Sequence, residues 1–262
     1  MTRIDPLVVA ALSDLARGLR ALEIDFCVIG ALAPELLLGV TPRRLTNDAD
    51  ATVVLDSLAA FEQLKERLAA FSFAPTRVPY RLTHRAGGWV DLLPYSKTLA
   101  PTGRLDLTHD LSFNMAGFDQ VVLNAVQVSV APDLTVPMVP LPLYVLLKLV
   151  AYGDRKEPKD LGSVLHCLRH YAEDEDQRYG LDHDGKAVPF ELTCAYLLGQ
   201  DGRRFSDRSV ARSVGTVLDR FDSPDAAVVG VVAREDGRVL VDDEDRAEIF
   251  ELFRWFRLGA GV

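Results

Sequence analysis

Near residue 140 the apolar residues of this chain change their spacing, and that change limits the folds open to it. Before it, β-branched, aromatic and aliphatic residues come in short strand-like runs at 24–29, 47–55, 77–84, 88–93, 121–130 and 134–139. After it they recur at helical spacing over 141–152, 158–171, 190–198, 206–221 and 243–257. Strands first and helices later predict an α+β amino-terminal domain followed by a helical domain, with the boundary between Pro137 and Pro142 and the two parts at 1–139 and 140–262.

Helices also flank the predicted strands. Residues 6–22 repeat Leu7, Ala11, Leu15 and Leu19 on one face. The first strand ends at Gly30, and a short helix is expected over 31–38, with Pro34 in its first turn. Ser57 is a helix cap for 58–71. The runs 77–84 and 88–93 read as an antiparallel pair turned around Ala86-Gly87-Gly88. In the second half, 173–186 reads as an exposed loop, and the run from Phe190 as a core helix ended by Gly199.

Composition narrows the function classes. The longest apolar stretch, 139–152, is broken by Pro140, Pro142 and Lys148, so it falls short of the ~20 residues of a membrane span. Asp5 and Pro6 do not fit a signal peptide, and a cytoplasmic protein is expected. Cys27, Cys167 and Cys194 are too scattered for a disulfide framework or a zinc site. His166 and His170 lie four apart without a third ligand. The net charge of −9 means that any nucleic-acid partner must be gripped by a local basic patch, for which Arg43, Arg44, Arg77, Arg81 and Arg85 are candidates.

The chemistry is carried by carboxylates. In a strand, residues i and i+2 share a face, so Asp48 and Asp50 point to one spot. Like charges held side by side repel unless a cation lies between them, and hard oxygen donors suit magnesium. Asp91 interrupts the apolar run Trp89-Val90-Asp91-Leu92-Leu93, where an unpartnered buried carboxylate would cost several kcal/mol. It is either a partner for Arg77 or Arg81 or, if its strand lies beside the first, the third carboxylate of a site for two metal ions. Such a site suits phosphoryl-type transfer.

The succession Val28-Ile29-Gly30-Ala31, Arg44-x-Thr46-x-Asp48-x-Asp50 and Val90-Asp91 resembles the DNA polymerase beta-type nucleotidyltransferase superfamily, and most of all its abortive-infection (AbiEii-type) toxin branch. The resemblance implies a polymerase beta-like mixed sheet with flanking helices. It also implies two magnesium ions on Asp48, Asp50 and Asp91, and a nucleoside triphosphate held through Gly30, Ala31, Arg44 and Thr46. A later segment, Lys148-Leu149-Val150-Ala151 with Arg155 and Lys159-Asp160-Leu161, resembles a motif of the same branch, which implies a phosphate contact for Lys148, a site-shaping role for Lys159 and a place for Asp160 among the nucleotide-binding residues. Read from the residues alone, Lys148 either snorkels to water or meets a buried anion, and Asp160 could equally oppose a helix dipole. Lys148 and Arg155 would lie near one face of their helix if that helix persists past Gly153, and Asp160 falls in the first turn of the next helix.

On this reading Asp91 is both metal ligand and general base, and Lys148 faces the carboxylates across a cleft between the two domains. The acceptor is a tRNA or a small molecule, the acidic balance favouring a small or cationic one, and a cognate antitoxin protein is a candidate partner. Ala31, where relatives carry glycine or serine, Ala49 in place of a bulky aliphatic residue, and Ser163 in place of an aspartate depart from the pattern. They motivate an alternative, a catalytically silent nucleotide-binding or toxin-antitoxin module of the same fold. An Asp91 that points away from the aspartate pair would make this alternative the better reading.

Overall fold

The computed structural model describes residues 4–40, 48–172, 176–238 and 240–262. The chain divides into two compact units, Met1–Pro140 and Leu141–Val262. Arg44 and Thr46, and with them Arg43, lie outside the described residues. Among the described residues no helix is long and apolar enough to cross a membrane.

The first unit opens with α1 (Pro6–Ala21), which starts where it does because the Asp5 side chain accepts from Leu7 N at 2.8 Å and Pro6 supplies a preset φ at the first position. Its buried stripe, Val8, Ala11, Leu12, Leu15 and Leu19, turns to the sheet. Each fully buried leucine of this kind contributes ~1.5–3 kcal/mol. Next come β1 (Phe26–Val28), α2 (Leu32–Leu37) and β2 (Asp48–Val54). Then α3 (Leu58–Arg67), capped by Ser57 Oγ accepting from Ala60 N at 3.1 Å, runs on through a 3-10 turn to Phe71. The strands β3 (Phe73–Pro75), β4 (Arg81–His84) and β5 (Trp89–Tyr95) follow.

A second hairpin, β6 (Arg104–Thr108) and β7 (Leu111–Asn114), stands apart from the main sheet on a small core of Ala100, Leu105 and Met115. It was not foreseen, although Arg104-Leu105-Asp106-Leu107 alternates polar and apolar as a half-buried strand does. The strand expected from residue 121 begins only at β8 (Val126–Ala131). Gly117, at φ +86°, turns the chain into the short α4 (Phe118–Val121), and Asn124 Nδ2 closes that turn on Gln120 O at 2.8 Å. β9 (Leu134–Met138) completes the unit.

The seven strands of the main sheet lie in the order β3-β4-β5-β2-β1-β9-β8. β2 runs parallel to β5 and antiparallel to β1, β9 runs parallel to β1, and the remaining neighbours are antiparallel. The molecule is therefore α+β, with a mixed sheet and flanking helices.

The second unit is mainly helical: α5 (Leu141–Arg155), α6 (Pro158–His170), α7 (Thr193–Gly202), α8 (Arg208–Leu218), α9 (Ala227–Glu235) and α10 (Asp243–Ala260). Part of the expected loop at 173–186 forms a minimal hairpin, β10 (Asp182–His183) with β11 (Lys186–Ala187).

Gly199 does not end its helix, as the sequence suggested. It lies inside α7, where an added Cβ would stand 2.3 Å from Phe256 O, and a Cβ on Gly259 of α10 would stand 2.2 Å from Tyr196 O. Two glycines thus let the backbones of α7 and α10 touch. Gly199→Ala is expected to destabilise this unit by at least the ~1–3 kcal/mol typical of an overpacked core, because the obstacle is backbone and cannot rotate away. Denaturant unfolding would read the loss, and an unchanged midpoint would show slack in the crossing.

Candidate metal centre

Register brings the carboxylates together. β2 and β5 pair in parallel with Asp50 opposite Asp91 and Asp48 opposite Trp89, so the i, i+2 pair and the lone aspartate emerge on one face. One carboxylate oxygen from each of Asp48, Asp50 and Asp91 lies within 4.8 Å of the others, and all three residues are half-buried. Three hard anionic donors at this spacing can hold a divalent cation.

Gly30 closes one side of the cluster. Ile29 N donates to Asp50 O at 2.9 Å, extending the β1–β2 ladder, and the chain then turns into α2 with Ala33 N on Gly30 O at 3.1 Å. A Cβ at Gly30 would stand 2.0 Å from Asp50 Oδ2 and 2.7 Å from its Cγ. The glycine is required by a close approach, since its own side-chain space is filled by the Asp50 carboxylate.

Arg81, on β4 opposite Asp91, is the residue that sequence reasoning undervalued. Its Nε donates to Asp91 Oδ1 and its Nη2 to Asp91 Oδ2, both at 2.7 Å, a bidentate pair. The guanidinium lies over the Trp89 ring, 5.1 Å from its centroid. The hydrogen bonds to Asp91 raise the pKa of Arg81, against a smaller opposing effect of burial, and the charge of Asp48 adds to the rise. Arg81, one of the candidates for a basic patch, faces the carboxylates instead, whereas Arg77 and Arg85 are exposed.

No protein-family model and no curated protein sequence matches the chain. Solved structures do. One is an antigenic nucleotidyltransferase-like protein from Paracoccidioides brasiliensis, 17% identical over 87% of this chain and 94% of that one, with a TM-score of 0.45. Another is a STING-associated CdnE c-di-GMP synthase from Capnocytophaga granulosa, 9% identical over 97% of this chain and 79% of that one, with a TM-score of 0.30. At these scores the likeness carries no weight for function, which rests on the residues themselves.

Lys148 and Asp160 belong to the second unit, and there they meet each other. α5 persists through Gly153 to Arg155, so Lys148 and Arg155 both reach Asp160 in the first turn of α6. Lys148 Nζ lies 3.3 Å from Asp160 Oδ1, while Arg155 donates from Nη2 to Oδ1 at 2.6 Å and from Nε to Oδ2 at 2.8 Å. The Asp160 side chain is 0% exposed. Burial alone would raise its pKa, but the Arg155 hydrogen bonds and the Lys148 charge outweigh burial and hold the carboxyl below the usual range. Of the two outcomes open to Lys148, water or a buried anion, the second is realised, and the anion lies in the same unit. Ser163, the third departure from the family pattern, bonds locally to Lys159 O at 3.0 Å.

The cysteines offer no chemistry. All three are buried and none is in a disulfide, and burial pushes the Cys27 and Cys167 thiols up to about 12, far from the thiolate that reactivity needs.

Proposed function

We propose that the chain is a metal-dependent nucleotidyltransferase that moves a nucleoside monophosphate from a nucleoside triphosphate to a hydroxyl acceptor. The observation that carries this reading is the convergence of the three carboxylates within 4.8 Å on adjacent strands. The donor set fits magnesium, because all three ligands are hard oxygens, the pairing of β2 with β5 sets Asp50 opposite Asp91, Asp48 shares their face two residues along β2, and Gly30 leaves room for the Asp50 carboxylate. Bound divalent cations would neutralise the triphosphate and activate the acceptor hydroxyl.

The protein's own groups do the rest. Asp48 and Asp50 hold the cation site, and Asp91 completes it and takes the acceptor proton. The new bond joins the acceptor oxygen to the α-phosphorus, and the bond to the pyrophosphate oxygen breaks. Gly30 and Ala31, leading into α2, are assigned to the phosphates, with Arg44 and Thr46 nearby in sequence.

The same convergence supports catalysis over a silent module, whose hallmark would be an Asp91 turned away from the pair. Acceptors to be tested are tRNA and cationic small molecules; a toxin role with an antitoxin partner is the reading under which tRNA would be the acceptor. Incubation with labelled nucleotides, total RNA and a small-molecule panel is expected to show magnesium-dependent transfer that the Asp48→Ala, Asp50→Ala double variant reduces by at least ~10³-fold, a loss of about 4 kcal/mol of transition-state stabilisation. Undiminished transfer in that variant would refute the assignment.

A further inference from the structure

The third carboxylate already has a cation. Arg81 occupies both oxygens of Asp91 at 2.7 Å, in a pair of which Arg81 is 32% and Asp91 14% exposed, so neither group is freely hydrated. Two constraints hold the guanidinium there: the β4–β5 register places it opposite Asp91, and the Trp89 face lies beneath it. Magnesium requires a lone pair from each ligand in near-octahedral geometry at ~2.1 Å. A fork of two N–H donors takes one lone pair on each carboxylate oxygen, and its positive charge repels a dication at the same oxygens.

We propose that Arg81 is the resident counter-ion of the metal centre and sets its affinity: a divalent cation takes its place at Asp91 only as the guanidinium gives up at least one carboxylate oxygen, turning on the Trp89 ring. The inference rests on the metal-binding reading of the three aspartates. It assigns Arg81 a role distinct from simple positioning. If Arg81 merely held Asp91 in place, its removal would weaken metal binding; if it competes, its removal strengthens it.

The test is a manganese titration of the full chain without nucleotide, following free Mn²⁺ by electron paramagnetic resonance and the site through Trp89 fluorescence, with Trp255→Phe as the common background. Arg81→Met is expected to bind Mn²⁺ ~10- to 100-fold more tightly than the parent, since a charged hydrogen bond no longer has to be broken. Arg81→Lys, which keeps the charge but not the fork, is expected to fall between them. Should Arg81→Met fail to fold by circular dichroism, Arg81→Lys alone decides, with tighter binding as the supporting result. Equal or weaker binding in the folded variants would overturn the competition while leaving the metal reading intact. No Mn²⁺ binding by the parent or any variant at millimolar concentration would overturn both.

Discussion

Gly30→Ala is expected to abolish most divalent-cation binding and to lower nucleotidyl transfer by ~10²-fold or more, with the fold retained. The added methyl would stand 2.0 Å from Asp50 Oδ2 and 2.7 Å from Asp50 Cβ, distances that no contact between these atoms tolerates. Something must move. The backbone of Asp50 is held by Ile29 N on one side and by the β5 ladder on the other, so the side chain is the part that must shift. Its displacement takes one of three ligands out of the cluster, and metal geometry is strict enough that a shift of ~1 Å suffices. Manganese titration and turnover, with circular dichroism as the folding control, check the result. Normal metal affinity in a folded Gly30→Ala protein would mean that Asp50 is not a ligand.

Asp160→Ala is expected to cost the helical unit about 3 kcal/mol, the lower end of the ~3–5 kcal/mol that breaking a buried ion pair exacts. The lower end applies because Arg155, 43% exposed, can turn to water, whereas Lys148, 17% exposed, is left in an apolar helix without its anion. The same pair predicts a pH dependence. Asp160 has a folded-state pKa below its unfolded value, so its contribution is full above the unfolded pKa of ~3.9 and is lost as pH falls through the lower folded value. Denaturant unfolding of the wild type and Asp160→Ala between neutral pH and pH ~3 should therefore show a stability gap that narrows only on the acid side of ~4. A gap that stays constant into acid would place the destabilisation in lost packing, with no charge involved.

These expectations separate what a chain displays from what packing creates. The strand period alone places Asp48 and Asp50 on one face, since alternation is a property of the backbone. Helix starts were legible for a similar reason: Ser57 caps the amides of its own first turn, a contact that needs no distant partner. The paired aspartates and the lone Asp91 could thus be singled out as the charges in strands whose other residues are uncharged and mostly apolar.

Tertiary structure decided the rest. Asp91 lies 41 residues beyond Asp50, and only the parallel pairing of β2 with β5, in the register that sets them opposite, makes them neighbours. Arg81 and Arg77 were equal candidates for Asp91 in the sequence; the β4–β5 register chose Arg81, because a shift of one residue would have turned it to the other face. Gly199 looked like a helix terminator until α10 was laid against it, and Lys148 could have met water or an anion until α6 delivered Asp160. Local rules say which way a side chain points along its own element. Which residue waits at the other end depends on how elements pair and pack, and that is settled by long-range burial and hydrogen bonding that no single segment carries.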